Sequence, residues 1–217
     1  MTVPDDTAAR FQRGLLEWAE ENTRSFHWRE PARTRYEMLI AEFFLARTRA
    51  GVVADIYEDF LEEYPTLEAL ETAERDRLVD LIRPMGLQNR RGDALLELAE
   101  TLDGEVPSDV DALLELPRVG PYVAHATLCF GDGAQLPIVD RNVDRVYRRV
   151  FADTWESLDD EGQWAFAAEL LPEGKARRFN LALLDFASIT CTARSPDCGS
   201  CFANGYCEYY AREMENP

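Results

Sequence analysis

Four of the five cysteines fall within seventeen residues, as Cys191-x6-Cys198-x2-Cys201-x5-Cys207, directly after a helical stretch. Thiolates crowded this closely can converge on one metal centre, and the loops between them then need little core of their own. Pro196, Gly199 and Gly205 supply the turns that such wrapping needs. Three chemistries compete for the quartet. Disulfides conflict with a reducing cytoplasm. Zinc sites with four cysteines usually pair two short C-x2-C knuckles, and this stretch has one. An iron–sulfur cluster, held by four thiolates, is the third. Cys129, in an apolar stretch, reads as a small buried hydrophobe.

Helical periodicity runs through nearly all of the remaining chain, and strand signals are scarce. Apolar residues recur at spacings of three and four from Ala8 to Asn22, with Phe11, Leu15 and Trp18 on one face. Further helices are expected over 36–47, 52–63, 73–82, 91–102, 110–116, 121–130, 142–151, 162–171 and 175–190. A loop at 25–35 and a tight turn at 85–89 interrupt them. About ten short helices with brief connections make an all-α fold. No run of about 18 apolar residues occurs, so no membrane span is expected. The acidic start Met1-Thr-Val-Pro-Asp-Asp lacks the basic and apolar stretches of a secretory signal, so a cytoplasmic location is expected.

The 217 residues carry 41 acidic against 23 basic side chains, a net charge of −18, and Lys175 is the single lysine. A nucleic-acid binder ordinarily shows a basic footprint, and this chain as a whole has none. Acid-rich, lysine-poor surfaces suit a very salty cytoplasm, where screening shrinks repulsion and carboxylates stay hydrated. A halophilic source is therefore expected. In such salt counterion release drives DNA binding less, and shape and specific contacts must carry more.

Two stretches bear chemistry. In Leu116-Pro-Arg-Val-Gly-Pro-Tyr-Val-Ala124 a tight turn precedes a helix; taken alone this is more often just a turn, although the free backbone N–H groups of such a helix start can also meet an anion such as a phosphate. Pro121 suits the first helical turn, and Gly120 permits close approach of a backbone. In Leu136-Pro-Ile-Val-Asp-Arg-Asn-Val-Asp-Arg-Val146, Asp140 follows an apolar pair and opens a helix, which also suits it as an N-cap.

Hairpin, aspartate and cysteine loop, in this order and spacing, resemble the helix-hairpin-helix (HhH-GPD) DNA glycosylases with a 4Fe–4S cluster, such as endonuclease III and MutY. The likeness runs from about Trp28 to Cys207. It implies two helical subdomains: residues 28–134 with the hairpin, and residues 1–27 plus 135–217 with the cluster loop 191–207. It also implies that Cys191, Cys198, Cys201 and Cys207 hold a 4Fe–4S cluster. Asp140 is then the catalytic carboxylate, stabilising the positive charge that builds on the sugar as its glycosidic bond breaks. Double-stranded DNA with a mispaired or damaged base would lie between the subdomains, bound by a monomer, with Asp140 and Glu42 facing each other over the flipped nucleotide. Leu116, Arg118, Val119 and Gly120 would meet its backbone. Arg118 departs from the family, which has glycine there. If that position needs φ > 0, arginine costs on the order of 1 kcal/mol.

The family divides at the position held by Tyr122, eighteen residues before Asp140. Endonuclease III enzymes have a lysine there that attacks the sugar and then nicks the strand. Tyrosine forms no Schiff base, and Lys175 falls in a stretch that resembles a non-catalytic part of the family. A monofunctional enzyme is therefore implied. Ala41-Glu-Phe-Phe-Leu-Ala-Arg-Thr-Arg-Ala50 resembles the segment with a pocket glutamate in MutY and in archaeal thymine–guanine mismatch glycosylases. Glu42, among Leu39, Ile40, Phe43 and Phe44, would protonate or hydrogen-bond the leaving base. Tyr122 is a feature of the thymine–guanine enzymes, and the chain ends just after the cysteine loop, without the C-terminal domain of MutY. Thymine or uracil opposite guanine is the expected target. Adenine removal as in MutY, glycosylase–lyase activity as in endonuclease III, and a non-catalytic DNA-binding iron–sulfur protein are the alternatives. Arg47, Gln88 and Asn89 match loops that probe the opened duplex, and Arg194 is a basic contact beside the cysteines.

Overall fold

The computed structural model describes residues 5–102 and 104–215. The first four residues of the acidic N-terminal stretch, and residues 103, 216 and 217, lie outside the described residues. Among the described residues there are fourteen α-helices, two single 3-10 turns and no strand. Helix α1 (Asp5–Asn22) opens the chain. A first unit, Ser25–Ala134, holds α2 (Arg35–Leu45), α3 (Ala50–Ala54), α4 (Tyr57–Glu63), α5 (Leu67–Glu71), α6 (Arg75–Leu81), α7 (Gln88–Thr101), α8 (Val110–Leu114) and α9 (Pro121–Gly131). A second unit joins residues up to Arg24 with those from Gln135 onward. It adds α10 (Arg141–Val150), α11 (Ala152–Trp155), α12 (Asp160–Glu169), α13 (Ala176–Ile189) and α14 (Glu208–Glu215) to α1.

In the first unit α2 packs against α9. A capping box starts α2: the Thr34 hydroxyl accepts from the Glu37 backbone N–H, and the Glu37 carboxylate accepts from the Thr34 N–H. From Met38 to Phe44 the whole helix is buried, Glu42 included. Close approach is possible because α9 ends in Gly131, where a Cβ would stand 3.3 Å from the Arg35 Cα. The segment 52–63, expected as one helix, is two. Ile56 (φ −125°, ψ −15°) breaks it, and the bend lets Val53, Ile56, Tyr57 and Phe60 all enter the core. Core burial on both sides of the bend outweighs helix continuity.

In the second unit α1 lies along α13. Phe11 on α1 meets Tyr147, Phe151, Phe179 and Phe202, each with ring centroids 5.4–6.3 Å apart. Tyr147, Trp155 and Phe166 extend this cluster to α11 and α12. Asp185 of α13, fully buried, is held by Arg24, whose backbone N–H and Nε donate to it at 2.9 and 2.6 Å.

Candidate functional site

Asp140 is the N-cap of α10, with extended backbone (φ −115°, ψ 179°). Its Oδ1 accepts from the backbone N–H groups of Asn142 and Val143, both at 2.8 Å. Its Oδ2 accepts from Asn142 Nδ2 at 2.7 Å. The preceding strand-like segment is fixed too: Ile138 is buried, and Asn180 of α13 donates to the Leu136 carbonyl at 2.9 Å. The carboxylate is thus half-buried, aimed, and supported by the backbone of its own helix. The capping role and a role in chemistry are compatible, since three bonds leave Oδ2 with accepting capacity.

Glu42 lies in α2 at 2% exposure, among the buried Leu39, Ile40, Phe43 and Phe44. Burial pushes the Tyr57 hydroxyl far above its usual range, Arg33 opposes this, and the charges of Glu37, Glu58 and Glu42 push the same way as burial. Glu42 therefore stands within electrostatic reach of Tyr57, whose hydroxyl donates to the Glu37 carbonyl at 2.9 Å. Tyr122 is half-buried in the first turn of α9, directly after Pro121.

In the hairpin, Leu116 and Val119 are buried, and Arg118 takes φ +63°. The left-handed conformation that glycine would adopt freely is thus forced on an arginine. Gly120 has ordinary backbone (φ −98°), and a Cβ there would meet nothing within 4 Å. Its surroundings inside the protein are open, so only an external surface approaching this turn would require a glycine.

Three non-glycine residues have positive φ among the described residues: Arg47 (+65°), Leu87 (+52°) and Arg118 (+63°). All three line one cavity of about 320 Å³, together with Phe43, Ala46, Arg90, Arg91, Ala94 and Val123. Strained backbone concentrates where function demands a fixed outward geometry. Four arginines around an apolar floor also make a local cationic surface on a chain of charge −18. Arg91 ties α7 to the loop after α2 by donating to Thr48 Oγ1 at 2.8 Å and to the Ala46 carbonyl at 3.3 Å.

Sequence reasoning missed Leu87. It is 70% exposed, with Gly86 (φ +70°) before it and Gln88 and Asn89 opening α7 after it. A large apolar side chain on an exposed glycine turn was the available signal. Helix α7 starts three residues before its expected start, which places Gln88 and Asn89 on its first turn instead of in a loop.

The cysteine segment runs from the end of α13 to the start of α14, and all four thiols are free. Burial pushes the Cys201 thiol up to about 11, and the charges of Cys191, Cys207 and Cys198 add to this against a backbone N–H from Ala203. Cys198 and Cys207 are raised by burial first and then by Cys191. The four sulfurs are thus gathered closely enough to sense one another. Among the described residues no three histidine, cysteine, aspartate or glutamate side chains form a ready site for a single metal ion. Arg149 of α10 donates to Cys191 Sγ at 3.4 Å, and Arg194 is exposed on the same segment. Lys175, at the start of α13, lines a groove with Arg13 and Arg178; Asp140 does not belong to it.

Residues 40–171 match the model of the HhH-GPD superfamily base excision DNA repair protein. The chain is 36% identical to the thymine/uracil-DNA glycosylase of Methanothermobacter thermautotrophicus, over 91% of this chain and 92% of that one. It is 35% identical to the thymine-DNA glycosylase of Aeropyrum pernix, over 92% and 93%. A solved thermostable thymine-DNA glycosylase superposes with a TM-score of 0.92 at 36% identity, covering 96% of this chain and 98% of that one. An endonuclease III in complex with DNA shares the fold, with a TM-score of 0.85 at 22% identity, covering 99% of this chain and all of that one.

Proposed function

Because the chain belongs to the HhH-GPD superfamily of base excision DNA repair proteins, we propose that it is a monofunctional DNA N-glycosylase that releases thymine or uracil mispaired with guanine in double-stranded DNA. The observation that carries this reading is the 36% identity, along nearly the full length of both chains, with a protein named for thymine and uracil. Tyr122 supports it, because a phenol cannot become the imine that strand nicking requires. The single lysine, Lys175, lines a groove to which Asp140 does not belong.

As the base leaves, positive charge grows on the sugar. The Asp140 carboxylate, oriented by three hydrogen bonds, stabilises that charge without having to reorganise. Glu42, buried among aliphatic and aromatic side chains, hydrogen-bonds or protonates the leaving base. The hairpin at Leu116, Arg118, Val119 and Gly120 offers backbone N–H groups to a phosphate. Leu87, exposed and held in a fixed left-handed turn, is a wedge for the stack that the extruded base vacates, with Arg47, Gln88 and Asn89 beside it. The protein acts as a monomer inside the cell, and its acidic surface suits a salt-rich cytoplasm. Among the described residues no helix is long and apolar enough to cross a membrane.

Cys191, Cys198, Cys201 and Cys207 fit a 4Fe–4S cluster, since four thiols outside any disulfide are gathered on one short segment, where burial and then charge on the other three push the Cys201 thiol up. When bound, the cluster supplies positive iron that keeps them as thiolates and staples the segment.

The deciding experiment incubates the protein in high salt with T·G, U·G, A·G and A·8-oxoG duplexes, with and without alkali. Release of thymine and uracil, with strand nicks only after alkali, is expected. Preferential release of adenine, or borohydride trapping of the protein on DNA, overturns the reading.

A further inference from the structure

One amide side chain connects Asp140 to the cysteine segment. Asn142 Nδ2 donates to Asp140 Oδ2 at 2.7 Å, and Asn142 Oδ1 accepts from Arg145 Nη1 at 3.1 Å. Arg145 is in turn anchored at the C-terminal end of α13: its Nη2 donates to the Ala187 carbonyl in the last turn at 2.9 Å and its Nε to the Cys191 carbonyl just beyond it at 3.0 Å. Arg149, one turn further along α10, donates to the Thr192 and Ala193 carbonyls at 2.7 and 3.2 Å. The helix whose N-cap is Asp140 thus grips the first cysteine's backbone with two arginines, Arg145 and Arg149 both donating to the Cys191 carbonyl.

The order of partners dictates which way the Asn142 amide faces. Rotated by half a turn, it would aim its oxygen at a carboxylate and its NH2 group at a guanidinium, two contacts between like poles. With Arg145 in place the NH2 end faces Asp140. Both bonds are charge-assisted and correspondingly directional. Oδ1 of Asp140 is occupied by two backbone N–H groups, so Asn142 is the side chain that sets the direction of Oδ2.

We infer that Asn142 and Arg145 are positioning residues for Asp140, and that the backbone at Cys191 sets the direction of that carboxylate through them. The inference rests on the proposed reaction. Correct closure of the cysteine segment is thereby registered at the carboxylate: a displaced Cys191 carbonyl frees Arg145, and the Asn142 amide loses its enforced orientation.

The test uses the metal-loaded protein with Asn142→Ala, Arg145→Met and the double variant. Three quantities are read: single-turnover base release, affinity for an uncleavable duplex, and hydrogen exchange of the Asn142 and Val143 backbone amides. Each single change is expected to slow release by about 10- to 100-fold while affinity stays within about threefold. The double variant is expected to be no more than about threefold slower than the slower single, because both changes break one chain of contacts. In Arg145→Met the two amides exchange at least about tenfold faster. Multiplicative losses in the double variant, unchanged release, or unchanged exchange overturns the inference. Should Arg145→Met fail to fold, Arg145→Lys keeps the charge but carries its donors on one nitrogen, which cannot span the acceptors that Nε, Nη1 and Nη2 reach separately, and its exchange rates decide the matter. The exchange measurement needs no substrate. Base release absent from the wild-type protein therefore refutes the proposed function, while the exchange rates still decide the relay.

Discussion

The Phe202 ring lies so close over Gly14 that a Cβ added to the glycine would overlap the ring's Cδ2. Phe202 lies between Cys201 and Cys207, and its ring also packs on Phe11 and Phe186, with centroids at 5.8 and 4.9 Å. Helix α1 is therefore a seat for the cysteine segment. In an ordinary helix interior, Gly→Ala stabilises by roughly 0.5–1 kcal/mol. At position 14 the overlap reverses the sign, and Gly14→Ala is expected to destabilise the protein by about 1–3 kcal/mol, as overpacked cores do. Adding Phe202→Leu should recover part of the loss. Thermal or denaturant melts of the two variants give the answer, and a Gly14→Ala protein more stable than wild type would refute the seat.

Arg47, Leu87 and Arg118 invite the opposite trade. Each adopts φ above +50° without being glycine, and all line the same cavity. Leu87→Gly and Arg118→Gly should each raise stability by about 1 kcal/mol by relieving that backbone. Excision should slow on loss of the Leu87 wedge, and affinity for duplex should fall on loss of the Arg118 charge. Paired melts and binding isotherms on both variants measure this, and a variant that gains stability with undiminished release and binding would remove these side chains from the proposed DNA surface.

Glu37 carries a pH dependence. Partial burial pushes its pKa up, but the Thr34 backbone N–H, the Arg33 guanidinium and the Thr34 hydroxyl together hold it below its ordinary value. A carboxylate with a depressed folded pKa contributes stability that is fully present above the unfolded pKa near 4.5 and lost as pH falls through the lower folded value. Glu37→Gln is thus expected to lower stability at pH 7 by about 1 kcal/mol or less for this half-exposed capping box. The gap between variant and wild type should narrow progressively below pH 4.5. Urea melts from pH 7 to pH 3 read the difference directly, and a gap that stays constant across that range would refute the contribution.

The long helices were legible because periodicity and caps agree. Thr34 and Glu37 mark the start of α2, Pro121 that of α9, and the apolar faces of α1 and α13 run without interruption. Of the short ones α8, capped by Asp109, was legible, and others were not. Helices α5 and α11 have five and four residues, too few to display a period; packing of the buried Leu67 and Leu70 against α7 decides the first, and burial of Trp155 among Tyr147 and Phe166 the second. Helix α14 follows the cysteines, where turn residues dominate the local pattern. The burial of Glu42 could be read from its four apolar neighbours. The left-handed Leu87 could not, because its conformation follows from the Gly86 turn and not from leucine's own preference. Nor could the Asn142–Arg145 chain, since the Cys191 carbonyl that anchors it lies 46 residues away in sequence.

Asp140 bears two duties that one substitution can separate. As an N-cap it needs only an oxygen that accepts from the Asn142 and Val143 backbone N–H groups, and asparagine does this as well as aspartate. As a catalyst it needs a full negative charge beneath a sugar that is becoming positive, which an amide cannot supply. Asp140→Asn keeps the capping oxygen but sets its NH2 group against the Asn142 NH2, so it is expected to lose about 1–2 kcal/mol relative to wild type and to bind mismatched duplex normally. Base release should slow by at least about a thousandfold, a loss on the scale of a principal electrostatic contribution. Single-turnover release measured alongside a binding isotherm distinguishes the duties. Near-normal turnover by the variant would leave the capping role intact and remove Asp140 from the chemistry.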